Sequence, residues 1–165
     1  MEIAKRPPGT LHELLALAIE DCRKIAVDPR YEFHMGVWHT PDDEGDGACG
    51  VCMAGAIMAC TLQVDPGVEM IPERCGDAKW DNALLATNLM RAGMFDRALN
   101  MLKTRYVEFE TRCGEFRATQ ELREYYNQVQ DELDIILSVE PNEEATEIWF
   151  NGWDRVVAKA KELGV

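Results

Sequence analysis

GVCMAGAIMACTL, residues 50–62, contains no charged side chain. A helix that is apolar on every side belongs inside a fold, because no face of it is suited to water. Ala54, Gly55, Ala56 and Ala59 keep the segment slim, so that neighbouring elements can approach its backbone closely. The stretch is predicted to be the central buried helix of the molecule, and the rest of the chain is read as the layer built around it.

Upstream, Thr10 and Glu13 have the spacing of a helix-opening capping box. Leu11, Leu14, Leu15, Ala18, Ile19, Cys22 and Ile25 then recur at helical intervals until Asp28-Pro29 ends the run. Residues 31–39 (YEFHMGVWH) are aromatic and β-prone, and 40–47 (TPDDEGDG) read as an acidic loop. Downstream, Asp77 is a candidate N-cap for a helix over 78–92, with Trp80, Leu84, Leu85, Asn88 and Leu89 on one side and Gly93 at its C-terminal turn. A short helix over 95–104 follows, with Phe95, Ala98, Leu99 and Leu102 inward, completing a helical hairpin. Residues 106–110 alternate in a way that fits a strand or a helical continuation. A long helix over 115–138 is expected to bury Leu122, Tyr126, Val129, Leu133 and Ile136. Pro141-Asn142 breaks the chain before a last helix that runs to Leu163. The fold class is therefore mainly α. One domain over 1–165 is expected, a bundle of five or six helices around 50–62, with at most a minor β element near 31–39 or 106–110.

The 165 residues can bury a sizeable core, and 47% hydrophobic content argues against disorder. No apolar run approaches the ~20 residues that span a bilayer, and the first residues lack the pattern of a secretory signal. The six cysteines are read as reduced thiols of a cytoplasmic protein, since a chain of this size needs no staples. Seventeen basic residues against thirty acidic ones give −13. Residues 49–105 are neutral overall and both flanks are acidic. Such flanks repel nucleic-acid backbone and anionic membrane, which excludes both as direct partners.

The segment from His39 to Cys52 invites chemistry, and each version of it has a defect. Asp42, Glu44, Asp46 and Gly47 match the start of a calcium loop, but the closing glutamate position is Met53. Cys49 and Cys52 have the gap of a zinc knuckle, with His39 or Cys75 as companions, but a second knuckle is missing. The same Cys-x-x-Cys suits a redox pair at a helix start, yet the βαβ setting of thioredoxin is absent. CGVCMA is superficially similar to the segment around a papain-like nucleophile, but no histidine follows Cys52. Buried cysteines packing as small apolar residues account for the pattern more simply. Phosphate loops, serine-nucleophile elbows and HExxH motifs are absent. No cofactor is implied.

GVWHT (36–40), CGVCMAGAIMACTL (49–62) and NALLATNLMRAG (82–93) together resemble small uncharacterised proteins encoded by tailed bacteriophages. In those proteins a Trp-His pair precedes a Cys-x-x-Cys-x-Ala-Gly-Ala segment, and a Leu-rich helix ending in Arg-x-Gly follows. The likeness covers about residues 31–105. That family has no assigned activity, so no residue role carries over. The resemblance implies a context, an accessory protein in a bacterial host cytoplasm.

Two functional expectations follow. The first is a non-enzymatic protein that binds a protein partner, with Glu121, Glu124, Asp131 and Glu132 presenting a phosphate-like array to a host nucleic-acid-binding protein. Trp149 and Trp153, one turn apart, are the candidates if the contact is apolar instead. The second is a thiol- or zinc-dependent protein centred on His39, Cys49 and Cys52. Nothing in the sequence fixes the oligomeric state.

Overall fold

A computed structural model describes residues 6–42, 47–103 and 120–165. Among them, six α-helices account for more than half of the residues: α1 (Leu11–Ala26), α2 (Met53–Cys60), α3 (Ala78–Arg91), α4 (Phe95–Lys103), α5 (Gln120–Ile136) and α6 (Thr146–Leu163). The fold is mainly α, as the periodicity predicts. The strand-or-helix question at 106–110 lies outside the described residues.

The uncharged stretch divides into two elements. Cys49–Val51 is a strand, β3, and only Met53–Cys60 is the helix α2, with Cys52 between them as its N-cap. The expected helix over 50–62 is thus too long at both ends, mostly at its start. The physical reason is that a run buried on every side fits a central strand as well as a buried helix. Here the segment 49–51 is flanked on both sides. β1 (Tyr31–Phe33) pairs with it in parallel, and β2 (His39–Thr40) pairs antiparallel, giving the order β1-β3-β2. The expectation for α2 itself holds, since Met53, Ala54, Gly55, Ala56, Ile57 and Met58 are all buried.

α1 begins at Thr10, whose side chain accepts from the Glu13 amide, and lays Leu11, Leu14, Leu15, Ala18 and Cys22 into the core. It packs on α2 and on α6. Asp77 caps α3 by accepting from the Lys79 and Trp80 amides, and Gly93 at φ 79 turns the chain into α4. In α3 the buried set is Trp80, Asn82, Ala83, Leu84, Ala86, Thr87 and Met90; Leu85, Asn88 and Leu89 are only partly covered.

α5 and α6 form an antiparallel hairpin. A side chain at Gly152 would collide with Ile136, so the two helices touch backbone-close there. Along the pair, Glu132 bonds Arg155 at 2.8 Å, and the Tyr125 hydroxyl donates to the Val156 carbonyl at 3.1 Å. Tyr125, fully buried, takes the place expected for Tyr126, which is 40% exposed. Both fit a stripe with Leu122 and Val129, and the side facing α6 is fixed by the partner helix rather than by the periodicity of α5. The hairpin docks through α6 on α1, where Arg23 pairs with Asp154 and lies 4.7 Å over the Phe150 ring.

Candidate functional site

Two regions carry the predicted site residues. The first is the junction from β2 through β3 to α2. The pairings Tyr31↔Cys49 and His39↔Val51 put Tyr31, His39, Cys49 and Val51 on one face of the sheet. The Tyr31 and His39 rings meet edge-on at 5.9 Å. His39 is fully buried, and its Nδ1 lies 2.7 Å from the Val68 carbonyl. A carbonyl only accepts, so the proton sits on Nδ1. Cys49 Sγ lies 3.8 Å and 3.9 Å from the two ring nitrogens.

Cys52 does not join them. Its sulfur accepts from the Gly55 amide at 3.4 Å and faces the Trp38 carbonyl at 3.9 Å, so the side chain serves as the cap of α2. Among the described residues no three His, Cys, Asp or Glu side chains converge as a metal-binding group. Burial pushes the Cys49 and Cys52 thiols above their usual range and holds His39 below its own. A buried thiol kept protonated beside a neutral imidazole is poorly poised as a nucleophile or a thiolate ligand. Of the calcium-like set, Glu44 and Asp46 lie outside the described residues.

The second region is the hairpin α5–α6 and its connector. Between residues 120 and 147 the chain carries nine carboxylates and one basic side chain, Arg123. Glu121, Glu124 and Asp131 are exposed on α5. Glu132 is half-buried and bonded to Arg155, so it is not a free member of the array. Ile135 and Ile148 are each 51% exposed on this same pair of helices.

Trp149 and Trp153, the apolar alternative, are core residues. They are 3% and 0% exposed, and their rings lie 6.1 Å apart. The helical face that carries them is the one α6 turns toward α1 and the sheet, where Trp149 meets Phe33 at 5.9 Å. Two tryptophans at one-turn spacing mark a buried stripe as readily as an exposed one. They offer no docking surface.

One feature of this region is absent from the sequence reading. A cleft of about 490 Å³ opens between the end of α1, β1 and the α5–α6 connector, lined among others by Ile25, Phe33 and Pro141 with Glu32, Glu140 and Glu143. The local signal was the run of carboxylates around Pro141-Asn142, but the chain segments that oppose it are more than a hundred residues away. No helix among the described residues is long and apolar enough to cross a membrane. No protein-family model, no curated protein and no solved structure matches the chain.

Proposed function

We propose that this protein is a non-enzymatic accessory protein of phage type that acts in a bacterial cytoplasm by binding a basic protein partner through the acidic face of α5 and the α5–α6 connector. The observation that carries this reading is the concentration of charge. Nine of the thirty carboxylates fall within residues 120–147, against a single basic residue. Most of them stand on exposed positions of one hairpin.

An exposed helix face is ordinarily charged, and charge alone keeps a chain dispersed. The local imbalance goes further than that role needs. An exposed face built for dispersal mixes both signs, whereas this one carries almost only one. Two half-exposed isoleucines beside the carboxylates add the apolar contact that an interface core requires. A surface of this kind repels nucleic acid and attracts the proteins that bind it. A host nucleic-acid-binding protein is therefore the class of partner it fits.

The test is affinity capture with the tagged full chain, followed by titration of the isolated partner at rising salt. A partner held by this face dissociates as ionic strength rises and is not recovered with a Glu124→Lys, Asp131→Lys variant. A partner recovered equally by that variant would remove the acidic face from the account.

A further inference from the structure

The three-stranded sheet is closed at one edge and open at the other. At the β2 edge, the Met70 amide donates to the His39 carbonyl at 3.0 Å and forms an isolated antiparallel bridge. Among the described residues, the β1 edge has no such bridge. Its parallel register with β3 uses the Arg30 carbonyl, which accepts from Cys49 at 2.8 Å, and the His34 amide, which donates to Val51 at 2.8 Å. Alternate residues of a strand direct their backbone groups to alternate sides. The outward groups are therefore those of Tyr31 and Phe33. The Tyr31 amide donates back to Asp28 at 3.2 Å. The Tyr31 carbonyl and both backbone groups of Phe33 have no hydrogen-bond partner among the described residues.

These open groups border the cleft between β1 and the α5–α6 connector. Ile25, Phe33 and Pro141 give it an apolar floor, and Glu32, Glu140 and Glu143 give it carboxylates. Arg30, next to β1 in the chain, is committed to Asp28 through contacts of 2.8–3.3 Å. Among the described residues, the lining of the cleft beside this strand edge carries carboxylates and no basic side chain.

We infer that the β1 edge and this cleft form a docking site for an extended, Lys- or Arg-bearing segment of a partner protein, which adds to the sheet as a fourth strand. Strand addition supplies affinity through main-chain hydrogen bonds and specificity through alternate side chains. Successive side chains of the added strand point to opposite faces. Apolar ones then meet Phe33, which is partly exposed, while basic ones meet the three glutamates. A second copy of this chain is the poorer occupant, because pairing β1 with β1 would bring Glu32, Glu140 and Glu143 against their own counterparts. The inference rests on the acidic-face reading of the hairpin and adds the contact mode to it.

The probe is the capped peptide acetyl-Lys-Val-Lys-Val-Lys-amide, titrated into the full chain by calorimetry at low salt, with amide hydrogen exchange followed at Phe33. A second peptide of the same sequence carries N-methyl groups at both valines, which leaves its charge intact and removes the amide donors of both valines. The expected result is that the first peptide binds and slows Phe33 exchange, that the methylated one binds about tenfold more weakly, and that Glu140→Lys with Glu143→Lys abolishes binding. Equal binding of the two peptides with Phe33 exchange unchanged overturns strand addition while leaving charge recognition by α5 standing. Failure of both peptides to bind overturns the docking site. The acidic face is then judged separately, by whether Glu124→Lys with Asp131→Lys releases the captured partner. Slow Phe33 exchange without peptide, in a chain that dimerises, would replace the basic partner with a second copy and overturn the proposal.

Discussion

The carbonyl of Trp38 occupies the space where a side chain at residue 55 would begin. The same carbonyl faces the amide and the sulfur of Cys52 at 3.4 Å and 3.9 Å, so the turn from β3 into α2 is seated directly on it. Gly55 is required by this approach, and its neighbour Ala56 is fully buried. Backbone cannot move aside as a flexible side chain can. Gly55→Ala and Ala56→Leu are each expected to cost about 1–3 kcal/mol or more, lowering the melting midpoint by about 3 °C or more. Thermal melts followed by circular dichroism check this, and an unchanged midpoint in either variant would mean that α2 is not tightly enclosed.

On α5, the contrast between two adjacent tyrosines is a second test. Tyr125 is fully buried, donates to Val156, and meets Phe95 edge-on at 4.9 Å. Tyr126 is 40% exposed. Tyr125→Ala should destabilise the chain by about 3 kcal/mol or more, and Tyr126→Ala by well under half as much. Denaturant midpoints of the two variants decide it, and similar losses would show that α5 is rotated from the position described.

That pair of residues also shows what was legible in the sequence. Caps and breaks could be read locally, because Thr10, Asp77 and Gly93 act on amides or turns within a few residues of themselves. The buried stripe of α1 could be read too, since its polar positions leave little choice of face. The rotation of α5 could not, because only contact with Gly152 and Val156 of a distant helix selects Tyr125 over Tyr126. The division of 49–60 into strand and helix was equally hidden, since pairing with β1 and β2 decides it. For the candidate site, the charge of the 120–147 stretch was visible, whereas the cleft and the open β1 edge exist only once residues 25–33 and 140–146 meet.

Asp21 gives a pH-dependent expectation. Its side chain is buried, accepts from the Thr61 hydroxyl at 2.5 Å and reaches Lys24 at 3.4 Å. Burial raises its pKa above the ordinary 3.8, against the opposing influence of Thr61 and Lys24. A carboxyl with a raised folded-state pKa holds its proton more tightly in the folded chain. Its contribution is fully present below 3.8 and is lost as pH rises through the folded value. Asp21→Asn, which keeps an acceptor for Thr61, should therefore raise the melting midpoint at neutral pH. The gain should shrink as the pH is lowered toward the carboxylate range. A variant less stable at neutral pH would show that the ionised group is a net stabiliser.

The thiols provide a fourth test. Cys22, Cys49 and Cys52 are 0%, 3% and 3% exposed, and burial raises all three thiol pKa values. They are expected to react with a thiol-specific reagent only as fast as the chain unfolds. Cys49→Ser with Cys52→Ser should still fold, because a serine hydroxyl at residue 52 can cap α2 as the sulfur does. Purified protein should contain no stoichiometric zinc. Metal analysis giving one zinc per chain, lost in the double variant, would favour the thiol- or zinc-dependent account instead.

Recognition through the acidic face is tested by the affinity of the captured partner for the full chain across a salt series, with and without charge reversal on α5. Glu124 and Asp131 are exposed, so Glu124→Lys with Asp131→Lys should leave the fold and its circular dichroism unchanged. Exposed charges are screened beyond about 8 Å at physiological ionic strength, and steering by charge speeds association. Binding should be rapid, weaken steeply as salt rises and disappear in the reversed variant. An affinity that barely changes from low to high salt, or that survives the reversal, would contradict recognition through the acidic face.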